Sequence, residues 1–221
     1  MKSNKELVDY LVARKILETP RIIAAFRAID RAGFVLPEYL GAAYENHPLP
    51  INEGQTISQP ETVAFMLEKL DPEPGETILD IGSGSAWTTA LLADIVGGSG
   101  KVIGIERIPS LCEFGKNNLK KIATAGRAKI LCGDGTKKLP SEGPFDKILA
   151  SAEAEDAIPE EWKNELTIGG KIVAPIDSSI VLLMKKNKSE WEEKKFAGFA
   201  FVPLVRGGKD PPKTPQEKAP F

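Results

Sequence analysis

The sequence predicts an α/β fold: a doubly wound, mostly parallel sheet with N-terminal helices before it and an antiparallel sheet end. Three observations predict it. From residue 60 onward, short apolar runs of strand length alternate with helix-forming segments. One of these runs, 77–81, passes directly into a glycine turn and then a helix, the usual geometry at the mouth of an open α/β sheet. The last two strand patterns, 181–186 and 195–205, follow each other without a helix between them, as antiparallel neighbours do.

The elements follow in order. Leu7, Val8, Leu11, Val12 and Ile16 recur near the helical period, which predicts an amphipathic helix over 6–16. Thr19 suits an N-cap and Pro20 the first helical position. A second helix runs to about residue 30 and buries Ile22, Ile23, Ala25, Phe26 and Ile29; Gly33 ends it. Residues 44–59 are irregular, and a loop of that length in a compact domain is usually functional. Pro60 opens a helix over 60–70, and Pro72, Pro74 and Gly75 turn into the central strand.

That strand carries Ile78, Leu79 and Ile81, the apolar run of a parallel strand covered on both faces. Strands are predicted at 101–106, 128–132, 144–151 and 171–176, with helices at 110–123 and 158–166 and a turn at Gly169-Gly170. Residues 1–206 are read as one domain, divided into the N-terminal helices and loop (1–60) and a sheet core (61–206). The polar, proline-rich stretch 207–221 is read as a disordered tail.

Composition narrows the function classes. The 221 residues are 42% hydrophobic and 27% charged, with a net charge of −2. That balance gives no field favouring nucleic acid. Lys116, Lys120 and Lys121 lie at helical spacing and read as a solvated helix face. No apolar run reaches the ~20 residues needed to span a bilayer, and the first residues are polar, so a cytoplasmic protein is expected. Cys112, Cys132 and His47 are too few for a structural zinc, and no metal site is expected. The cysteines read as free, partly buried thiols.

The glycine turn reads Gly82-Ser-Gly-Ser-Ala-Trp87. A dinucleotide fingerprint needs a small residue where Trp87 stands, so a pyrophosphate is disfavoured. Gly82 and Gly84 permit a tight turn and close approach, with Ser83 between them. Glu106 ends the next strand, where a carboxylate can accept both hydroxyls of a ribose. Gly133-Asp134-Gly135 ends the following strand, where Asp134 can receive an adenine amino group with no bulk beside it at Gly135. Asp80, inside the first motif, can orient a cofactor amino group or cap the loop. Each motif has a plainer reading, a solvated glutamate at 106 and an Asp-Gly turn at 134. Three motifs at three successive strand ends converge on one crevice and point to S-adenosyl-L-methionine.

Further stretches carry a resemblance. Pro48-Leu-Pro-Ile51 and Gly54-Gln-Thr-Ile-Ser-Gln-Pro60 are the most specific, supported by Ile78-Leu-Asp-Ile-Gly-Ser-Gly-Ser85, Gly133-Asp-Gly135, Pro144-Phe-Asp146, Ile158-Pro159, Gly169-Gly170 and Phe201-Val-Pro-Leu204. Over roughly 26–205 the sequence resembles the protein-L-isoaspartate (D-aspartate) O-methyltransferase family. The resemblance implies a Rossmann-like methyltransferase fold, with S-adenosyl-L-methionine as cofactor and S-adenosyl-L-homocysteine as its product. It implies methylation of the α-carboxylate of L-isoaspartyl residues in damaged proteins or peptides, a repair reaction. It places Ser58 on the active-site serine; Gln55 and Thr56, beside it in sequence, can supply neighbouring polar contacts to substrate.

From the residues alone Ser58 can also be the N-cap of the helix that Pro60 opens. An α-carboxylate is ionised at neutral pH, with a pKa near 3.5, so no general base is required. His47 is read as a loop residue, and Trp87 either covers the cofactor or packs at the helix start.

The sequence departs from the family pattern at Ala86-Trp87, at Ser151-Ala-Glu-Ala-Glu-Asp156 and at Pro175-Ile-Asp177. Ala86 is expected to narrow the space beside the cofactor, and Glu153 to repel a carboxylate if it points inward. The alternatives are a divergent methyltransferase acting on another small acid or peptide, or a non-catalytic cofactor-binding relative. The expected partners are damaged peptides, met by a monomer without nucleic acid or membrane.

Overall fold

In a computed structural model, described over residues 1–122, 125–139, 141–154 and 157–204, two N-terminal helices come first, α1 (Asn4–Ala13) and α2 (Pro20–Ala28). A two-stranded hairpin follows, β1 (Leu49–Pro50) with β2 (Thr56–Ile57). The core then runs α3 (Pro60–Leu70), β3 (Thr77–Ile81), α4 (Trp87–Val96), β4 (Lys101–Glu106), α5 (Pro109–Leu119), β5 (Ala128–Cys132), β6 (Phe145–Ala150), α6 (Glu160–Glu165), β7 (Leu166–Ile176), β8 (Ser179–Lys185) and β9 (Trp191–Ala197).

The seven-stranded sheet has the order β5-β4-β3-β6-β7-β8-β9. It is parallel from β5 to β7, and β8 and β9 add an antiparallel end. The chain winds outward from β3 through β4 to β5 and returns on the other side of β3 as β6. The order therefore reverses between β3 and β6, and such a reversal opens a crevice at the carboxyl ends of the strands.

Period-two alternation divides the strands between two layers. Ile78, Val102, Ile130, Leu149 and Val173 face a core shared with α1 through α5, whereas Leu79, Ile81, Ile103, Ile105 and Ile148 face a second core that holds Trp162 of α6. Burial on both faces explains why these strands read as continuous apolar runs. Helix starts follow their sequence signals. Ser3 caps α1 by accepting from the Glu6 amide, and proline occupies the first turn of α2, α3 and α5.

Several boundaries differ from the sequence reading. Ile16 lies beyond α1, and α2 stops at Ala28. Thr19 is the N-cap residue of α2, but its hydroxyl makes no cap and donates instead to Glu68 of α3 at 2.6 Å. The irregular stretch 44–59 contains the short hairpin, whose turn places Asn52, Glu53 and Gly54 at positive φ. Strand β7 starts at Leu166, and the Gly169-Gly170 turn persists inside it as a register shift against β6. Ala123, Glu155, Asp156, Val205 and the stretch 207–221 lie outside the described residues.

Cys112 and Cys132 are not free thiols. They form a disulfide between α5 and the last residue of β5, with a Cα–Cα distance of 5.6 Å. A βαβ crossover packs α5 against β5 and brings together two residues 20 apart in sequence. No described helix is long and apolar enough to cross a membrane.

Candidate active site

The crevice at the reversal has about 810 Å³ of empty space, counting the part open to solvent. Its floor is the turn between β3 and α4. Gly82 and Gly84 adopt φ of +77° and +49°, conformations that favour glycine. The amides of Gly82 and Ser83 both donate to the Ile105 carbonyl, at 2.9 and 3.2 Å, which fixes the turn on the end of β4. A Cβ on Gly84 would sit 3.0 Å from Ile51 Cδ1, the tip of a side chain that can shift, so the positive φ rather than the space favours glycine at 84.

Glu106 reaches the same turn from β4. It is 7% exposed, and its Oε2 accepts from the Gly84 amide and its Oε1 from the Ile108 amide, both at 2.9 Å. A carboxylate has about four acceptor sites, so two remain after these bonds. Glu106 lines the crevice, where those sites can take two hydroxyls.

Gly133 and Gly135 also line it, from the end of β5. A Cβ on Gly135 would lie 2.6 Å from Ile81 Cγ2, so only glycine lets this loop approach β3. The Gly135 carbonyl accepts from Trp162 Nε1 at 2.7 Å, a buried anchor that sequence reasoning missed. Asp134 holds its own turn, with Oδ1 accepting from the Thr136 amide and hydroxyl at 3.0 and 2.7 Å. It is not among the lining residues.

Asp80 lies beneath the turn rather than in the crevice. It is fully buried, and its Oδ2 accepts from the Thr89 hydroxyl of α4 at 2.6 Å. Burial pushes its carboxyl up to about 6, and the nearby Glu106 charge adds to the shift.

Ala86 does not narrow the cofactor space. Its backbone is left-handed at φ +71°, and its methyl faces Gly115 of α5, away from the crevice. Trp87 is 2% exposed; it lines the crevice and also packs edge-on against Phe26 at 5.6 Å. The reading of Trp87 as packed at the helix start therefore holds.

The opposite wall comes from the hairpin. Gln55, Thr56 and Ser58 all line the crevice, so the structure brings them to the glycine turn. Ser58 is not the cap of α3: the N-cap residue is Gln59, with no side-chain capping bond. Thr56 and Ser58 also border a second groove shared with Ser151 and Val202. His47 stands apart, its ring between the Pro48 carbonyl and the Glu45 carboxylate, and these two acceptors raise its pKa.

Glu153 does not point inward. Its Oε1 accepts from the Ser178 amide at 3.0 Å, while its backbone bonds to Val202 and Leu204. The residues Val202, Pro203 and Leu204, held by those bonds, complete the crevice wall. Sequence reasoning also missed Ser151 and Arg107 in the lining, because neither belongs to a glycine-flanked or carboxylate motif of the kind that marks Glu106 and Asp134.

The residues present fit the cofactor. Glu106 keeps two acceptor sites suited to paired hydroxyls where it lines the crevice, and a Cβ on Gly135 would fall 2.6 Å from Ile81 Cγ2 and 3.1 Å from Ile105 Cγ2, two residues of the same lining.

Known proteins resemble the chain over most of its length. The family model described as protein-L-isoaspartate(D-aspartate) O-methyltransferase matches residues 2–209. A protein-L-isoaspartate O-methyltransferase of Methanopyrus kandleri is 40% identical over 208 residues, 92% of each chain. One of Thermococcus onnurineus is 40% identical over 203 residues, covering 90% of this chain and 91% of that one. Among solved structures, a Plasmodium falciparum chain described as a protein-L-isoaspartate O-methyltransferase in complex with S-adenosyl-L-homocysteine superposes with a TM-score of 0.81 at 26% identity, covering 93% of this chain and 99% of that one.

Proposed function

The chain belongs to the protein-L-isoaspartate(D-aspartate) O-methyltransferase family, and we infer that it methylates the α-carboxylate of L-isoaspartyl residues in damaged proteins or peptides, with S-adenosyl-L-methionine as donor. One observation carries the reading. A single crevice is walled on one side by the glycine turn and Glu106 and on the other by Gln55, Thr56 and Ser58. On this reading the donor and acceptor would face each other across it.

Gly82, Ser83, Gly84 and Glu106 would hold the cofactor, with Gly133, Asp134 and Gly135 shaping the far end and Asp80 supporting the turn from below. When bound, S-adenosyl-L-methionine supplies an electrophilic methyl group on a sulfonium. The acceptor carboxylate is already an anion at neutral pH, so the chain has no proton to remove. Its work is orientation and exclusion of water, which can contribute as much as ~7–11 kcal/mol. Ser58 would donate its hydroxyl to one carboxylate oxygen and aim the other at the methyl group, while Gln55 and Thr56 add polar contacts.

The same reading takes a cytoplasmic monomer that meets peptides without nucleic acid or membrane; the net charge of −2 supports the lack of a nucleic-acid partner. An altered acceptor rested on Glu153, and its bond to Ser178 outside the crevice removes that support. Incubation with labelled cofactor and matched isoaspartyl and aspartyl peptides tests the function. Absence of transfer to the isoaspartyl peptide, with cofactor demonstrably bound, overturns it.

A further inference from the structure

Among the described residues Arg31 is the most deeply buried cation, and the chemistry above does not use it. It is 0% exposed, in a short 3-10 turn over Arg31–Phe34 after α2. Its Nη1 donates to the carbonyls of Ala43 and Glu45, at 2.8 and 3.3 Å. Its Nη2 donates to the carbonyls of His47 and Ser58, at 3.1 and 3.2 Å. The guanidinium carbon stands 5.4 Å from the ring centroid of Trp87, the first residue of α4.

One planar fork thus gathers both ends of the hairpin segment, including the backbone of Ser58, and stacks them on the helix that leaves the glycine turn. Only a guanidinium offers several donors in a fixed plane and a flat cationic face for an aromatic ring. The neighbouring Asp30 supports the arrangement. Its Oδ1 accepts from the Ala32 amide at 2.9 Å and its Oδ2 from the Tyr44 hydroxyl at 3.1 Å, at the start of the same segment. Burial lowers the Arg31 pKa to about 10, so it remains charged at neutral pH.

Among the described residues, four carbonyls and no carboxylate accept from this buried charge, a neutral cradle. Such an arrangement is costly unless its geometry is kept. An ordinary core position would be filled more cheaply by an apolar side chain. What the cation adds is a fixed distance between the Ser58 backbone and the Trp87 ring.

We propose that Arg31 is a positioning residue for methyl transfer: it sets Ser58 against the cofactor turn by holding the Ser58 carbonyl and the Trp87 face on one guanidinium. It touches neither reactant. The proposal rests on the reading of Ser58 as the residue that faces the acceptor carboxylate.

A double-mutant cycle with Arg31→Lys and Ser58→Ala tests it, read as kcat/KM for an isoaspartyl peptide, with Kd for S-adenosyl-L-homocysteine and thermal melting measured alongside. Lysine keeps the charge and loses the fork. R31K is expected to lower kcat/KM about tenfold or more and to change the product Kd less than about threefold. In the S58A background the same change is expected to cost less than about threefold, because the backbone contact remains but the hydroxyl it positions is gone. Equal costs in both backgrounds would mean that Arg31 supports the fold generally, and would overturn the proposal. If R31K is unfolded at the assay temperature, Arg31→Gln, which retains two donors, takes its place in the cycle.

Hydrogen exchange separates this proposal from the assigned activity. R31K is expected to speed exchange of the Ile51 and Gln55 amides, which close the hairpin turn, by about tenfold or more relative to amides of α4. Unchanged exchange refutes the pinning even if the enzyme is active. Faster exchange in a protein whose wild type methylates no isoaspartyl peptide upholds the pinning and refutes the activity.

Discussion

Replacing Glu106 with glutamine should weaken cofactor binding by about 10- to 100-fold with little change in side-chain volume. The carboxylate now accepts one backbone N–H on each oxygen, from Gly84 and Ile108 at 2.9 Å. Glutamine converts one of those oxygens to an NH₂ group. Whichever way the amide turns, one backbone N–H then faces a donor, and a buried donor without a partner costs about 1–3 kcal/mol. The crevice also loses the negative charge and one of the two acceptors proposed for the ribose hydroxyls. A charge-assisted bond contributes about 1.5–3 kcal/mol, and each 1.4 kcal/mol is tenfold in affinity. Titration calorimetry with S-adenosyl-L-homocysteine measures the change in Kd, with a thermal melt to separate loss of fold from loss of affinity. A Kd within about twofold of wild type would refute the assignment of Glu106 to the cofactor.

Three other outcomes are expected. Ser58→Ala should lower kcat/KM for the acceptor about tenfold, the worth of roughly one hydrogen bond, while the cofactor Kd stays within about threefold; steady-state kinetics beside calorimetry separates the two. Asp80→Asn should flatten the pH dependence of stability. Its carboxyl is raised from 3.8 to about 6 in the folded protein, so the folded state binds the proton more tightly. Stability should therefore fall by ~3 kcal/mol as pH rises from about 4 to 6, and the asparagine variant should lose that slope in melts across the range. Cys112→Ser should lower unfolding free energy by about 3 kcal/mol, the loop-entropy value for residues 20 apart in sequence. Thiol titration should find no free thiol before reduction and two after it.

Much of this architecture was legible in the sequence because it follows from local periodicity and glycine chemistry. The run Ile78, Leu79 and Ile81 marked a strand buried on both faces, and Gly82 and Gly84 marked a turn with positive φ. Glu106 was legible because a strand-end carboxylate lies at a fixed remove from that turn. Features that depend on partners distant in sequence were not. Nothing local to Arg31 signals that its guanidinium collects carbonyls from four residues of a later segment. The disulfide needed the spatial contact of α5 with β5, which cysteine counting does not supply. Side-chain direction was equally hidden: Glu153 and Ala86 sit where substrate and cofactor contacts were expected, yet one turns to Ser178 and the other to α5.

The proposed reaction takes a free α-carboxylate as acceptor, which would sit beside Ser58 and need no base. Mass spectrometry of a peptide carrying one isoaspartyl residue, after incubation with S-adenosyl-L-methionine, measures this most directly. One methyl ester on the isoaspartyl α-carboxylate is predicted, with none on the matched aspartyl peptide. Methylation of both peptides alike, or of neither while the protein binds cofactor, would contradict it.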